Sequence, residues 1–249
     1  MGLRWKTTQI LGVQVAGVDR QTLVEQVIAW AEGKETRLVS YVNAYCLNLA
    51  ARDTHYQQQL NQMDLVYADG IGVVWAGRLL AQQRLYKVTG RAWINEFCRQ
   101  AQEKRVGIYI LAGKPGVAEA ARRKLLSEYP GLLLLGAADG YFTEKSEAQV
   151  LTELAAHPPQ VLFVGMGAVK QEAWLHARAG QIPTCVRWSV GALFDYVAGV
   201  EKPVPAWMDR LGLEWLWRLK EDPAGKSRRY LIGIPRFIWR VIRQWLGSM

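Results

Sequence analysis

The stretch Gly165-Met166-Gly167-Ala168-Val169-Lys170-Gln171-Glu172 follows directly on the apolar run Val161-Leu162-Phe163-Val164. A strand that ends in small residues and opens into a polar helix start leaves several backbone N–H groups without partners, and such groups can hold a phosphate. Glycines at a strand-to-helix turn also serve close packing alone, so this spacing leaves both readings open. Asp69, between Ala68 and Gly70 at the end of another apolar run, is a second candidate. Its carboxylate can accept a proton from a hydroxyl as a new bond forms, or it can cap the helix that starts at Ile71. Leu111-Ala112-Gly113-Lys114-Pro115-Gly116 is a looser glycine turn that fits a plain βα connection equally well. Neither Gly-x-Gly-x-x-Gly after the first strand nor a Walker Lys-Ser/Thr sequence occurs, which argues against dehydrogenase and P-loop chemistry. His55, His157 and His176 lack metal-ligand spacing to one another or to Cys46, Cys98 and Cys185, so no metal site is expected. The odd number of well-separated, apolar-flanked cysteines suits buried thiols in a reducing compartment.

These residues need a scaffold, and the chain supplies one in alternating short apolar runs and amphipathic segments up to about residue 195. That alternation predicts an α/β fold with a mainly parallel sheet covered by helices on both faces. Strands are expected near Leu38-Tyr41, Leu65-Tyr67, Val106-Leu111, Leu132-Leu135, Val161-Val164 and Cys185-Trp188. Helices are expected over Arg20-Glu32, Ala44-Arg52, Gly72-Leu80, Arg91-Glu103, Val117-Glu128, Ser146-Ala156 and Lys170-Arg178, the first with Asp19 as N-cap and Leu23, Val27 and Trp30 on its core face. Ligands in such sheets gather outside the carboxyl ends of the strands. The loops at Val42-Asn43, Ala68-Asp69-Gly70, Gly113 to Gly116, Asp139-Gly140, Gly165 to Gln171 and Ser189 to Asp195 therefore share one edge.

With 249 residues and 50% hydrophobic content the chain can form one large α/β domain with an appendage. A net charge of +9 points to an anionic partner, whether nucleotide, nucleic acid or membrane surface. The start, Met1 to Lys6, has no signal-peptide pattern, and no apolar run approaches the ~20 residues of a bilayer span, so a cytoplasmic protein is expected. After Pro203 the character changes: Arg210, Arg218, Lys220, Lys226, Arg228, Arg229, Arg236, Arg240 and Arg243 interleave with Trp207, Trp215, Trp217, Trp239 and Trp245. The last helix places Phe237, Ile238, Val241, Ile242 and Trp245 on one face and Arg236, Arg240 and Arg243 on the other. This pattern suits a helix lying in a membrane interface among anionic headgroups, and also a helix packed on its own domain or on a partner. Nucleic-acid binding draws on the same surface, but the arginines form an amphipathic helix instead of a groove-reading motif, so no nucleic acid is expected as partner.

Seven blocks carry a resemblance that spans nearly the whole chain. They are Asn43-Ala44; Asp64-Leu65-Val66-Tyr67-Ala68-Asp69-Gly70-Ile71-Gly72-Val73-Val74; Tyr129-Pro130-Gly131-Leu132; Asp139-Gly140-Tyr141-Phe142; Gly165-Met166-Gly167 with Lys170-Gln171-Glu172; Gly191-Ala192-Leu193-Phe194-Asp195; and Leu211-Gly212-Leu213-Glu214-Trp215-Leu216-Trp217-Arg218-Leu219. In this order they resemble the WecG/TagA/CpsF family of bacterial glycosyltransferases. The resemblance implies a Rossmann-like catalytic domain over residues 1–200 and, over 201–249, a helical appendage for membrane association and active-site closure. It further implies inverting, metal-independent transfer of an N-acetylmannosamine-type sugar or another hexose from a UDP-sugar to a polyprenyl-diphosphate-linked sugar. The UDP-sugar is then a substrate and no cofactor is needed. The work would be done by a peripheral enzyme at the cytoplasmic face of the bacterial membrane, in polysaccharide assembly, with the oligomeric state, monomer or homo-oligomer, left open.

Matched residue by residue, the resemblance makes Asp69 the general base, with Asn43 and Gln171 as the other active-site residues. Tyr41, Lys87, Gly165, Gly167, Lys170, Asp195, Arg218, Arg228 and Arg229 are the substrate-binding candidates. Arg218 and Arg228 are expected to close over the diphosphate, where an arginine fork can donate two parallel hydrogen bonds, and Arg229 either assists or faces lipid headgroups. Departures from the family pattern fall at Tyr41 for threonine, Lys87 for arginine, Val169 for proline, and Pro203-Val204-Pro205 for Arg-Ala-Pro. They bear on which sugar is used, and a non-catalytic scaffold that kept the fold is the rival reading.

Overall fold

The computed structural model describes residues 5–81 and 84–247. Eight strands form one sheet: β1 (Thr7–Ile10), β2 (Val13–Ala16), β3 (Arg37–Val42), β4 (Leu65–Ala68), β5 (Ile108–Ala112), β6 (Leu134–Ala138), β7 (Val161–Gly165) and β8 (Val186–Ser189), in the order β1-β2-β4-β3-β8-β7-β5-β6. Only β1 and β2 pair antiparallel. Every residue of β4, β5, β7 and β8 is buried, which is why β4, β5 and β7 read as continuous apolar runs, while β8 buries Arg187 and Ser189 as well. The helices are α1 (Arg20–Glu32), α2 (Ala44–Ala50), α3 (Thr54–Asn61), α4 (Ile71–Ala81), α5 (Gly90–Glu103), α6 (Val117–Glu128), α7 (Glu144–Ala156), α8 (Lys170–Ala177), α9 (Leu193–Val197), α10 (Ala206–Arg210), α11 (Glu214–Glu221), α12 (Pro223–Ser227) and α13 (Gly233–Leu246).

One face of the sheet carries α1 and α5 over an aromatic stack in which the Trp93 and Trp188 ring centroids lie 4.1 Å apart, with Phe97 edge-on to both and Phe163 stacked on Trp93. Asp19 caps α1 as expected, its carboxylate accepting from Thr22 N at 2.8 Å, and Leu23, Val27 and Trp30 face this core. The other face is covered by α2, α3 and α4, and Phe237 and Val241 of α13 belong to that same cluster.

The described structure departs from expectation at several elements; among them, the short helix α9 takes up the end of the loop expected over Ser189 to Asp195, and β5 begins at Ile108 instead of Val106. The edge hairpin β1–β2 was not foreseen, although its alternating burial and its turn at Leu11 and Gly12, both at positive φ, follow ordinary hairpin chemistry. The helix α3, capped by Asp53, is an addition. β6 starts at Leu134 and not at Leu132, because Leu132 N and Leu134 N are engaged in turns with Tyr129 O and Leu132 O. Residues 1–4, read for a leader sequence, lie outside the described residues.

Beyond residue 222, α12, a π-helical turn over Arg228–Ile232 and α13 follow one another without a break. Asn48 Nδ2 donates to Gly233 O at 2.7 Å, and Gln244 closes onto the edge hairpin through Leu11 N and Gln9 O. The expected division of α13 holds only in part. Phe237 and Val241 turn inward, Ile238 and Ile242 are exposed, and Arg240 leaves the basic face because its guanidinium donates to Asn48 O and Oδ1, both at 2.9 Å. No helix among the described residues is long and apolar enough to cross a membrane.

Candidate active site

The carboxyl ends of β3, β4, β7 and β8 open on one side of the sheet, and the appendage helices fold across them. Asn43 stands at the end of β3 as the N-cap of α2: its Oδ1 accepts from Tyr45 N and Cys46 N at 3.0 and 3.1 Å. That leaves its amide NH2 to hydrogen-bond Asp69, which follows β4 and whose own N–H donates to Val42 O. Burial raises the Asp69 proton affinity above the ordinary carboxylate value; Arg218, the Asn43 hydrogen bond, Arg229 and Lys87 act in the opposite direction. A carboxylate held this way is a better proton acceptor than one in water.

Two cavities meet at this point. An inner, polar one of about 160 Å³ reaches Tyr41, Tyr67, Gly167 and Tyr196. An outer, apolar one of about 540 Å³ runs between α4, the segment 211–215 and α13. Asn43, Tyr45, Asp69, Glu214, Arg218 and Arg229 line both and form the waist between them. The Arg218 guanidinium packs over the Tyr196 ring at 5.4 Å and Arg229 over Tyr45 at 4.4 Å, which fixes both cations beside Asp69. Burial disfavours the Arg218 charge, but Tyr196, Tyr230, Asp69 and Glu214 hold its proton more firmly than usual. The π-helical turn brings Arg229 and Tyr230 inward and leaves Arg228 exposed, outside both cavities.

The other sequence candidates separate into three groups. Tyr41 and Gly167 do line the inner cavity: the Tyr41 hydroxyl fills the space where a side chain at Gly191 would stand, and burial pushes its proton affinity well up. Gly167, at φ +84 with open space where a Cβ would be, leaves the cavity clear. Lys87 lines the outer cavity, but its ammonium is held by Asp209 and Glu214, so it ties α10 and α11 to the core instead of presenting a free charge. Gly165, Lys170, Gln171 and Asp195 line neither cavity. Gly165 allows close packing, since a Cβ there would lie 2.5 Å from Gly191 O. Lys170 donates to Gly140 O and stacks over Tyr141. Gln171 is fully buried, its Oε1 accepting from Gly191 N and its Nε2 donating to Glu172. Asp195 is half-buried, and its backbone carbonyl accepts from Val200 N and Glu201 N.

The same network narrows the phosphate reading of the α8 start. Glu172 is fully buried there, accepting from Val169 N at 2.9 Å and from Ser40 Oγ at 3.0 Å, so one amide of the helix start is already taken by an internal carboxyl group, while Gly167 and Ala168 face the inner cavity. Burial raises its proton affinity. Sequence reasoning missed Glu214 and Tyr45 at the waist and Tyr196 in the inner cavity; Glu214 lay inside a quoted block but had no chemical partner visible in one dimension. Among the described residues, His, Cys, Asp and Glu form no group of three or more that could hold a metal ion.

A doubly covered, mainly parallel sheet with a carboxylate, an asparagine and two arginines between a polar and an apolar cavity has the features of an enzyme of group transfer. Residues 8–249 match the model of the glycosyl transferase WecG/TagA/CpsF family, and the chain belongs to that family. A relative from Bacillus subtilis strain 168, named N-acetylglucosaminyldiphosphoundecaprenol N-acetyl-beta-D-mannosaminyltransferase, is 30% identical over 207 residues, covering 83% of this chain and 79% of that protein. A Staphylococcus aureus strain MW2 protein of the same name is 28% identical over 236 residues, covering 94% of this chain and 91% of its own length. This protein is a glycosyltransferase.

Proposed function

We propose that this enzyme transfers an N-acetylmannosamine-type sugar or another hexose from a UDP-sugar to a sugar carried on a polyprenyl diphosphate, with inversion and without a metal ion. The observation that carries the reading is the waist itself, where Asp69, Asn43, Arg218 and Arg229 stand between a polar and an apolar cavity. In this scheme Asp69 takes the proton of the acceptor hydroxyl as its oxygen bonds to the anomeric carbon. The bond from that carbon to the UDP oxygen breaks on the opposite face, and UDP leaves with the electron pair. Arg218 and Arg229 offset the phosphate charge, and Asn43 orients the base. Gln171 acts at one remove, by fixing the Gly191 loop over Tyr41.

The relatives' names support the acceptor class, since both act on a diphosphoundecaprenol sugar. Exposed Trp75, Leu231, Ile238, Trp239 and Ile242, beside exposed Arg236 and Arg243, support peripheral attachment to an anionic membrane through residues 201–249 and α4. Such a membrane is the cytoplasmic face of the bacterial cell membrane. The test is transfer from a panel of UDP-sugars to a synthetic polyprenyl-diphosphate sugar on anionic vesicles with EDTA present. One donor giving product is the expected result; no transfer and no UDP-sugar hydrolysis from any donor would overturn the reading.

A further inference from the structure

The outer cavity is larger and more apolar than a diphosphate sugar requires. It runs from the Asp69–Arg218 waist outward between α4 and α13, and its walls are Ile71, Trp75, Leu79, Phe237, Ile238 and Ile242. Four of these are large apolar side chains with much of their surface in water: Trp75 65%, Leu79 39%, Ile238 51% and Ile242 42% exposed. Apolar surface of this kind in a continuous channel marks a binding site and not a packing defect. Gly72 keeps the channel open at its inner end, because a Cβ there would already touch the Phe237 ring at 3.5 Å. A ligand that fits must be anionic at one end, to meet Arg218 and Arg229, and hydrocarbon over the length that follows.

We infer that this cavity holds the first few isoprene units of the acceptor lipid, lifted out of the bilayer, so that the protein grips the hydrocarbon as well as the diphosphate. The inference rests on the proposed acceptor class. About 540 Å³ accommodates a short stretch of prenyl chain and not a whole polyprenol, and the remainder would continue past Ile238 and Ile242 into the membrane. With the lipid clamped at the inner end, the sugar beyond the diphosphate is directed past the waist to Asp69. Binding of the chain in a preformed channel also lowers the freedom that would otherwise be lost on reaching the reactive geometry.

The experiment is a calorimetric titration of the full-length enzyme, without detergent or vesicles, with farnesyl diphosphate and with methyl diphosphate. The expected result is farnesyl diphosphate binding at least about tenfold tighter, since burial of each CH2 contributes about fourfold in affinity before ordering costs. That ratio should fall towards one in Leu79→Gln and Ile242→Gln, whose side chains already meet water and whose replacement spares the core. Ile232→Gln, on the neighbouring exposed surface outside the channel, separates channel binding from general stickiness and should keep the ratio. Equal affinities, a ratio untouched by the two channel variants, or an equal fall in Ile232→Gln would each overturn the inference. A high ratio in an enzyme that transfers nothing would keep the lipid channel and sink the reaction; a ratio near one in an active enzyme would do the reverse.

Discussion

Replacing Glu214 with glutamine should change how the enzyme's stability depends on pH. The Glu214 proton affinity is pushed up to about 7, first by burial and then by Asp209, against the pull of Lys87. Its side chain is only 19% exposed, so solvent screening does little to reduce the effect. A carboxyl whose folded value lies above its unfolded one binds its proton more tightly in the folded state. Its stabilising contribution is complete below the ordinary carboxylate range and is lost as pH rises through about 7. The whole displacement is worth about 3 kcal/mol, and sharing of the proton with neighbouring Asp209 brings the expectation to about 1–3 kcal/mol. Glu214→Gln keeps the shape, leaves Lys87 its contact with Asp209, and removes the titration. Relative to wild type the variant should therefore gain about 1–3 kcal/mol between pH 5 and pH 8, or about 2–10 °C in melting temperature for a chain this size. Thermal melts across that range measure it, with hydrogen exchange of α11 amides locating the change. Parallel curves, or a variant that loses ground at pH 8, would refute the reasoning.

Asp69→Asn should lower kcat by about 10²–10⁴ with little change in KM for the lipid acceptor, since it removes the base and leaves both arginines in place; steady-state kinetics with more than a third of the activity retained would contradict the assignment. Arg218→Lys should raise the acceptor KM roughly tenfold, because an ammonium can neither stack on Tyr196 as a plane nor donate a bidentate pair. Glu172→Gln should cost about 1–3 kcal/mol, because Ser40, Gln171 and Val169 N all donate into the carboxyl group and an amide NH2 there would face a donor, whereas Glu172→Ala should cost about 2–4 kcal/mol by stranding all three; denaturant titration measures both, and a glutamine variant as stable as wild type would contradict the reasoning.

The sheet and the position of its reactive edge were legible because most of the parallel strands covered on both faces are apolar runs, and each ended in a loop with glycine or asparagine. Asp69 and Asn43 could thus be placed at one edge from the sequence. What one dimension cannot show is which face of a short polar segment turns inward. Gln171 and Glu172 looked like an exposed helix start, but Ser40, 132 residues away, completes a buried network that consumes both. Lys87 looked like a free cation beside a phosphate, and only the return of α10 and α11 supplies Asp209 and Glu214 to hold it. Arg228 and Arg229 are neighbours that point in different directions around the helix, and a single π-turn decides which one enters the site. The β1–β2 hairpin, by contrast, carried an alternating pattern that its short, half-polar strands made easy to pass over.

The base and the anion-binding residues are coupled through charge. Arg218, Arg229 and Lys87 all oppose protonation of Asp69 in the free enzyme. A diphosphate that engages the two arginines cancels much of their field at the carboxylate and also excludes water from it, and both changes raise the proton affinity of Asp69. The base therefore strengthens when substrate is in place. The pH dependence of kcat/KM reports the free enzyme and that of kcat the substrate complex. The acid limb of kcat should accordingly lie at higher pH than that of kcat/KM, and Arg229→Gln should move the kcat/KM limb upward towards it. Coincident limbs, or a kcat limb at lower pH, would mean that the arginines act on the phosphate alone and leave the base as they found it.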